Sequence, residues 1–156
     1  TLVAAQNCLR NGIGIEIYPE YAEIAKKRLT QQKLLKEEEV QEIVIVGDSR
    51  DIVKIFKEYG LPKVDFCITS PPYWNQLKRN YIRQKERGLK GLDTYYGDKP
   101  EDIGNIDDYR QFVREQKKIF DYVYEAVKDY GYLVVITNNV FFEGRLYPLA
   151  FNMEPF

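Results

Sequence analysis

The grouping with the most chemical content is Ser70-Pro-Pro-Tyr-Trp74, directly after the apolar run Val64-Asp-Phe-Cys-Ile-Thr69. Two consecutive prolines fix the backbone and remove two N–H donors, so the run ends in a stiff turn. A plain turn would look the same, but a hydroxyl at its start and the rings of Tyr73 and Trp74, placed in a loop, make a ledge suited to a planar ligand. Other polar groups end apolar runs in the same way: Glu16 in Gly12-Ile-Gly-Ile-Glu-Ile17, Asp48 after Glu42-Ile-Val-Ile-Val-Gly47, and Thr137-Asn138-Asn139 after Tyr132. A carboxylate at a buried strand end needs donors, and a ribose diol supplies two. Asp48 fits a helix cap equally well. The chain has no histidine, which excludes imidazole bases, Ser-His and Cys-His nucleophile pairs and most catalytic zinc sites. Chemistry must rest on carboxylates, hydroxyls, backbone groups or a cofactor.

Short, β-branched, nearly continuous apolar runs at 12–17, 42–47, 64–69 and 132–137 suit strands buried on both faces, as a parallel sheet requires. Helical patterns separate them. Pro19 is placed for a first helical position, and Tyr21, Ile24, Ala25 and Leu29 recur at helical spacing. A shorter helix over 49–59 is capped by Asp48 or Ser49 and closed by Gly60, and the longest is expected over about 106–130, capped by Asn105 and ended by Gly131. This alternation predicts a doubly wound, mainly parallel α/β sheet with helices on both faces, whose ligands gather at the carboxyl ends of the strands. At 156 residues one compact domain is expected. A net charge of -1 excludes a uniformly basic nucleic-acid coat, so any basic surface is local. Cys8 and Cys67 lack disulfide or metal-knuckle spacing and read as reduced thiols, Cys67 as a small core residue. The most apolar segment is far too short to span a membrane, which with the absence of a leader pattern predicts a soluble, cytoplasmic protein.

The segment Ile68-Thr-Ser-Pro-Pro-Tyr-Trp-Asn75 resembles the catalytic motif of the amino-methylating DNA methyltransferases, which carry Ser, Asp or Asn before Pro-Pro-Tyr. Thr1-Leu-Val-Ala-Ala5 with 12–29 is similar to the helix and second strand after that family's glycine-rich cofactor loop, and Val46-Gly-Asp-Ser-Arg50 to its next cofactor motif. The resemblance covers about half the chain and implies a Rossmann-like methyltransferase fold using S-adenosylmethionine. It implies that Glu16 binds the ribose hydroxyls, Tyr18 lies against the adenine and Asp48 accepts from its amino group, with Thr1 and Phe156 flanking the cofactor. Ser70 and the Pro71 carbonyl would accept from the substrate amino group, Pro72 would stiffen the ledge, and Tyr73 would stack on a flipped base. Ser before Pro-Pro-Tyr leans toward cytosine N4 over adenine N6. The implied partner is duplex DNA, with no membrane or metal, and a companion restriction endonuclease fits the same pattern. The alternatives are an RNA or protein-amide methyltransferase of this fold and a non-catalytic DNA-binding remnant. A nicotinamide oxidoreductase fits poorly, because Gly12 and Gly14 enter the strand instead of leaving it.

The family's Phe-x-Gly-x-Gly loop is absent before Thr1, and no target-recognition domain is evident, so the catalytic domain is expected to be incomplete. The connection over 78–105 is long for a compact domain. Its first part sets Lys78, Arg79, Arg83, Lys85, Arg87 and Lys90 against Glu86, and from Asp93 to Asp108 the sign reverses. Contact of Lys78, Arg79 and Arg83 with DNA phosphates is one reading, and a solvated, self-neutralising loop the other. Asn152-Met-Glu-Pro-Phe156 resembles the start of the missing glycine motif. That predicts a strand over 153–156 beside 12–17, with Phe156 and Thr1 facing each other across a few absent residues.

Overall fold

Each of the four apolar runs forms a strand, since β-branched side chains pack well on a pleated surface. They are β1 (Gly12–Glu16), β2 (Glu42–Val46), β3 (Val64–Thr69) and β4 (Val127–Val135). The computed structural model describes residues 1–33, 40–74, 81–91 and 97–153, the side chains of 32, 33 and 81–84 excepted. The chain forms two compact units, Thr1–Leu61 and Pro62–Phe156. Each holds a parallel pair of strands, β1 with β2 and β3 with β4, and no barrel closes among the described residues.

In the first unit, α1 (Leu2–Asn7) leads into β1, and α2 (Pro19–Lys33) is the crossover that a parallel return to β2 needs. The two glycines of β1 have a packing reason. Leu2 methyl carbons stand 2.7 and 2.8 Å from where the Cβ atoms of Gly12 and Gly14 would be, so α1 lies close on the strand. Pro19 opens α2 as expected, but the inward stripe differs: Ala22 and Leu29 are buried, whereas Ile24 is exposed. Asp48 caps a 3-10 turn (Ser49–Asp51) that runs into α3 (Ile52–Glu58), and Gly60 follows at φ 60°. Gly47 lets α3 approach, with Ile55 Cδ1 2.9 Å from its absent Cβ.

In the second unit, α4 (Tyr81–Leu89) and a 3-10 turn (Ile103–Asn105) occupy much of the stretch expected to be a long loop. The longest helix, α5 (Tyr109–Ala126), is shorter than expected at both ends. Its cap is Asp108, whose carboxylate accepts the Gln111 N–H at 2.7 Å, because Asn105 is committed to the preceding turn. The helix ends at Ala126 because Val127 already pairs with Val64 in β4, which carries the chain on as strand. A bulge follows: Tyr130 sits at φ 64°, and a Cβ on Gly131 would fall 2.5 Å from Val127 Cγ1 and 2.9 Å from the Asp65 carbonyl oxygen. The hairpin β5 (Val140–Phe142) and β6 (Arg145–Tyr147) turns through Glu143 and Gly144, both at positive φ, and α6 (Leu149–Asn152) closes the unit. Met153 caps α6 in helical conformation and is buried in this unit's core, so the strand expected over 153–156 does not begin at Met153, and 154–156 lie outside the described residues.

The core of the second unit gathers Trp74, Phe112, Phe120, Val140, Leu149 and Met153, with Leu133 and Val135 of β4 against it. The other face of β3 and β4, paired as Phe66 with Tyr132 and Ile68 with Val134, is exposed. Among the described residues no helix is long and apolar enough to cross a membrane.

Candidate functional site

At the carboxyl end of β3 the chain leaves the sheet at Ser70, which is exposed, and turns through half-buried Pro71, Pro72 and Tyr73. Strand pairing continues just far enough to hold this exit, the Ile136 N–H donating to the Thr69 carbonyl at 2.9 Å. The Ser70 and Tyr73 hydroxyl oxygens lie 2.7 Å apart, hydrogen-bonded. The pair thus presents two hydroxyls at one point of the surface, while the half-buried Tyr73 ring packs in part against the core of this unit. When Ser70 is the donor, both lone pairs of its oxygen stay open to an incoming N–H.

Trp74 departs from expectation. It is not part of an open aromatic ledge but a core residue, 3% exposed. Its indole Nε1–H donates to the Asp107 carbonyl at 3.2 Å, and its ring packs on Tyr147 at 4.5 Å and Tyr109 at 4.8 Å between centroids. Its φ of 38° is uncommon for a bulky side chain and is held by this packing. Tyr109 is tied to α6 by the Asn152 amide, 2.8 Å from its hydroxyl, and burial pushes its phenol above the ordinary range. The Pro-Pro-Tyr segment is therefore anchored immediately after Tyr73. Cys67 lies half-buried in β3, and desolvation pushes its thiol up, away from the thiolate a nucleophile needs. Asn139 serves the fold, its side-chain oxygen accepting the Ala150 N–H at 3.1 Å, while Thr137 Oγ1 is buried without a partner among the described residues.

In the first unit, Glu16 ends β1 with Oε1 accepting the Tyr18 N–H at 3.0 Å, which leaves Oε2 without a partner among the described residues. Asp48 is engaged differently. Its Oδ1 accepts the Arg50 N–H at 2.8 Å and Nε–H at 3.0 Å, and its Oδ2 accepts Nε–H at 2.9 Å and a terminal guanidinium N–H. Three hydrogens thus engage the carboxylate, that of Nε shared between its two oxygens. Burial pushes the Asp48 pKa up, but the hydrogen bonds and charge of Arg50 outweigh it and hold the group below the ordinary carboxylate value. Tyr18 is 6% exposed, its ring edge-on to Tyr21 at 5.8 Å, so it presents little open face. Thr1 caps α1 through its carbonyl, with no side-chain capping bond.

Lys78, Arg79 and Phe156 lie outside the described residues. Arg83 belongs to α4 by its backbone, its side chain likewise undescribed, while Lys85 and Arg87 on that helix are exposed. The residues that sequence reasoning missed are Trp74 as an anchor and the buried pair Asp102 and Gly104. Asp-x-Gly is a legible turn signal, whereas nothing in the sequence says that the turn is buried. Comparison with protein-family models, curated proteins and solved structures yields no match.

Proposed function

We propose that this chain is the catalytic region of an S-adenosylmethionine-dependent DNA methyltransferase acting on an exocyclic amino group, cytosine N4 before adenine N6. The observation that carries this is the Ser70–Tyr73 hydroxyl pair at the carboxyl end of a parallel strand, on a proline-stiffened turn anchored by Trp74. An exocyclic amine conjugated to a base ring is a poor nucleophile. Ser70 Oγ and the Pro71 carbonyl accept its two hydrogens, draw the nitrogen toward tetrahedral geometry and direct its lone pair outward. The Tyr73 ring stacks on the base, taken out of its duplex. No covalent enzyme intermediate is required, in keeping with a raised Cys67 thiol and no histidine.

Of the groups read as cofactor ligands, Glu16 fits best, because Oε2 can accept from a ribose hydroxyl while Oε1 keeps the Tyr18 N–H. Tyr18 then serves through its backbone. Asp48 fits an adenine amino group only if the Arg50 guanidinium gives way. The cofactor supplies an electrophilic methyl group on a sulfonium. The substrate is duplex DNA, and the setting is the cytoplasm. A second reading, a Pro-Pro-Tyr fold that no longer takes the cofactor, draws support from the occupied Asp48 and the buried Tyr18. Calorimetric titration with S-adenosylmethionine separates the two: saturable binding weakened by Glu16→Ala supports the methyltransferase, and no binding supports the second reading.

A further inference from the structure

Asp102 and Gly104 are buried, although they lie in a strongly acidic stretch. Their turn is closed from within. Asp102 Oδ1 accepts the Gly104 N–H at 2.8 Å, the Asp102 carbonyl accepts the Asn105 N–H at 2.9 Å, and the Asn105 amide reaches the Gly97 and Lys99 carbonyls. A turn tied by both its flanking side chains is stiff. Its Gly104 backs directly onto the Pro72 ring: a Cβ there would stand 3.3 Å from Pro72 Cβ, 3.4 Å from Pro72 Cγ and 3.0 Å from Asp102 Oδ1. Gly104 is not in the left-handed region, so its backbone conformation does not ask for glycine. Space against Pro72 does.

We infer that this turn braces the Pro-Pro segment from behind, and that Gly104 and Asp102 are positioning residues for Ser70 and Tyr73. The catalytic consequence rests on the methyltransferase reading, whereas the brace itself does not. Trp74 pins the segment after Tyr73, and Gly104 backs it at Pro72, so Tyr73 is held between fixed points and Ser70 is tied to it through the hydroxyl pair. A methyl group on residue 104 obliges the neighbours to shift by a few tenths of an ångström. Pro72 is a ring within the backbone and cannot swing aside, so the shift passes to the residues on either side of it. Misplacement by 1 Å can cost about a hundredfold in rate, and this smaller shift corresponds to roughly fivefold to tenfold.

The test compares Gly104→Ala with Val123→Ala, a core truncation on α5 outside the aromatic cluster, and reads the chain's one tryptophan, Trp74. Gly104→Ala is expected to red-shift Trp74 emission and increase its quenching by acrylamide, with Val123→Ala leaving both unchanged. In methyl transfer to DNA, Gly104→Ala lowers kcat roughly fivefold to tenfold at unchanged KM for S-adenosylmethionine. Asp102→Asn keeps the acceptor and matches wild type. Should Gly104→Ala not fold, Asp102→Ala, which removes the acceptor that closes the turn, carries the same expectations. Unchanged Trp74 emission and quenching in the folded variant overturn the brace, and so does a fluorescence change with unaltered kcat overturn the positioning role. A wild type that transfers no methyl group, with the Trp74 difference intact, overturns the functional reading and leaves the brace standing.

Discussion

The sharpest perturbation available is Tyr73→Phe, which removes one oxygen and keeps the ring. In the structure that oxygen lies 2.7 Å from Ser70 Oγ, close to the ideal for a hydroxyl pair. When Ser70 donates to it, the serine proton is held away from the substrate and both serine lone pairs face outward, ready for an amino hydrogen. Without it the serine hydroxyl rotates freely and its acceptor preorganisation is lost. A neutral hydrogen bond of this kind is worth about 0.5–1.5 kcal/mol net, which converts to roughly twofold to twelvefold in rate. Exposure of the pair favours the low end in the free protein, and the dry surroundings of a stacked base favour the high end. Single-turnover transfer of a labelled methyl group to a duplex, at saturating cofactor, isolates this step. Tyr73→Phe is expected to slow it within that range at unchanged DNA affinity, whereas Tyr73→Ala loses stacking as well and falls further. If Tyr73→Phe transfers at the wild-type rate, the hydroxyl pair has no part in catalysis and the reasoning fails.

Arg50→Met tests the state of Asp48. The folded Asp48 pKa lies below its unfolded value, so the pair's contribution is present above the ordinary carboxylate value near 3.8 and is lost as pH falls through the lower folded value. Solvent screening limits that contribution to about 1 kcal/mol or less, so denaturant midpoints of wild type and variant should differ slightly at neutral pH and converge in acid; cofactor affinity should rise if Asp48 binds the adenine amino group. Maleimide labelling at pH 7 followed by peptide mass spectrometry should modify exposed Cys8 well before Cys67, whose burial disfavours the thiolate, and equal rates would contradict the packing of β3. Gln116 is buried in α5 with both amide atoms unpartnered among the described residues, so Gln116→Met should raise the melting temperature, by about 1–3 kcal/mol of stability from the unmet polar groups; a fall would mean that the amide is satisfied.

The strands were legible because continuous β-branched runs have few other homes, and ordinary capping chemistry let Asp48 announce the 3-10 turn that leads into α3 and Gly60 the end of α3. What sequence could not show was set by tertiary partners. The periodicity of α5 runs on through Val127, and only pairing with Val64 decides that Val127 is strand. Trp74 follows two half-buried prolines and a half-buried tyrosine, and a positive φ turns it fully into the core, where Tyr109 and Tyr147 wait from distant parts of the chain. Gly12 and Gly14 are permissive residues whose purpose appears only when Leu2 fills their missing side-chain space. The hairpin through Glu143 and Gly144 was not anticipated, although a glycine-containing two-residue break between short apolar runs is a local signal that could have found it. For the candidate site, Ser70 to Tyr73 and Glu16 were legible by type and by their places after apolar runs. Asp48 was ambiguous, because a cap and a ligand use the same oxygens.

In the proposed reaction Ser70 accepts from a base amino group during methyl transfer. The most direct test of that role is incubation of duplex DNA with S-adenosylmethionine and either the wild-type protein or Ser70→Ala, followed by nucleoside mass spectrometry. N4-methylcytosine is expected from the wild type, and roughly 10²-fold to 10³-fold less from Ser70→Ala with cofactor binding retained. Wild-type yields from Ser70→Ala, or no methylated base from a wild type that binds the cofactor and DNA, would contradict it.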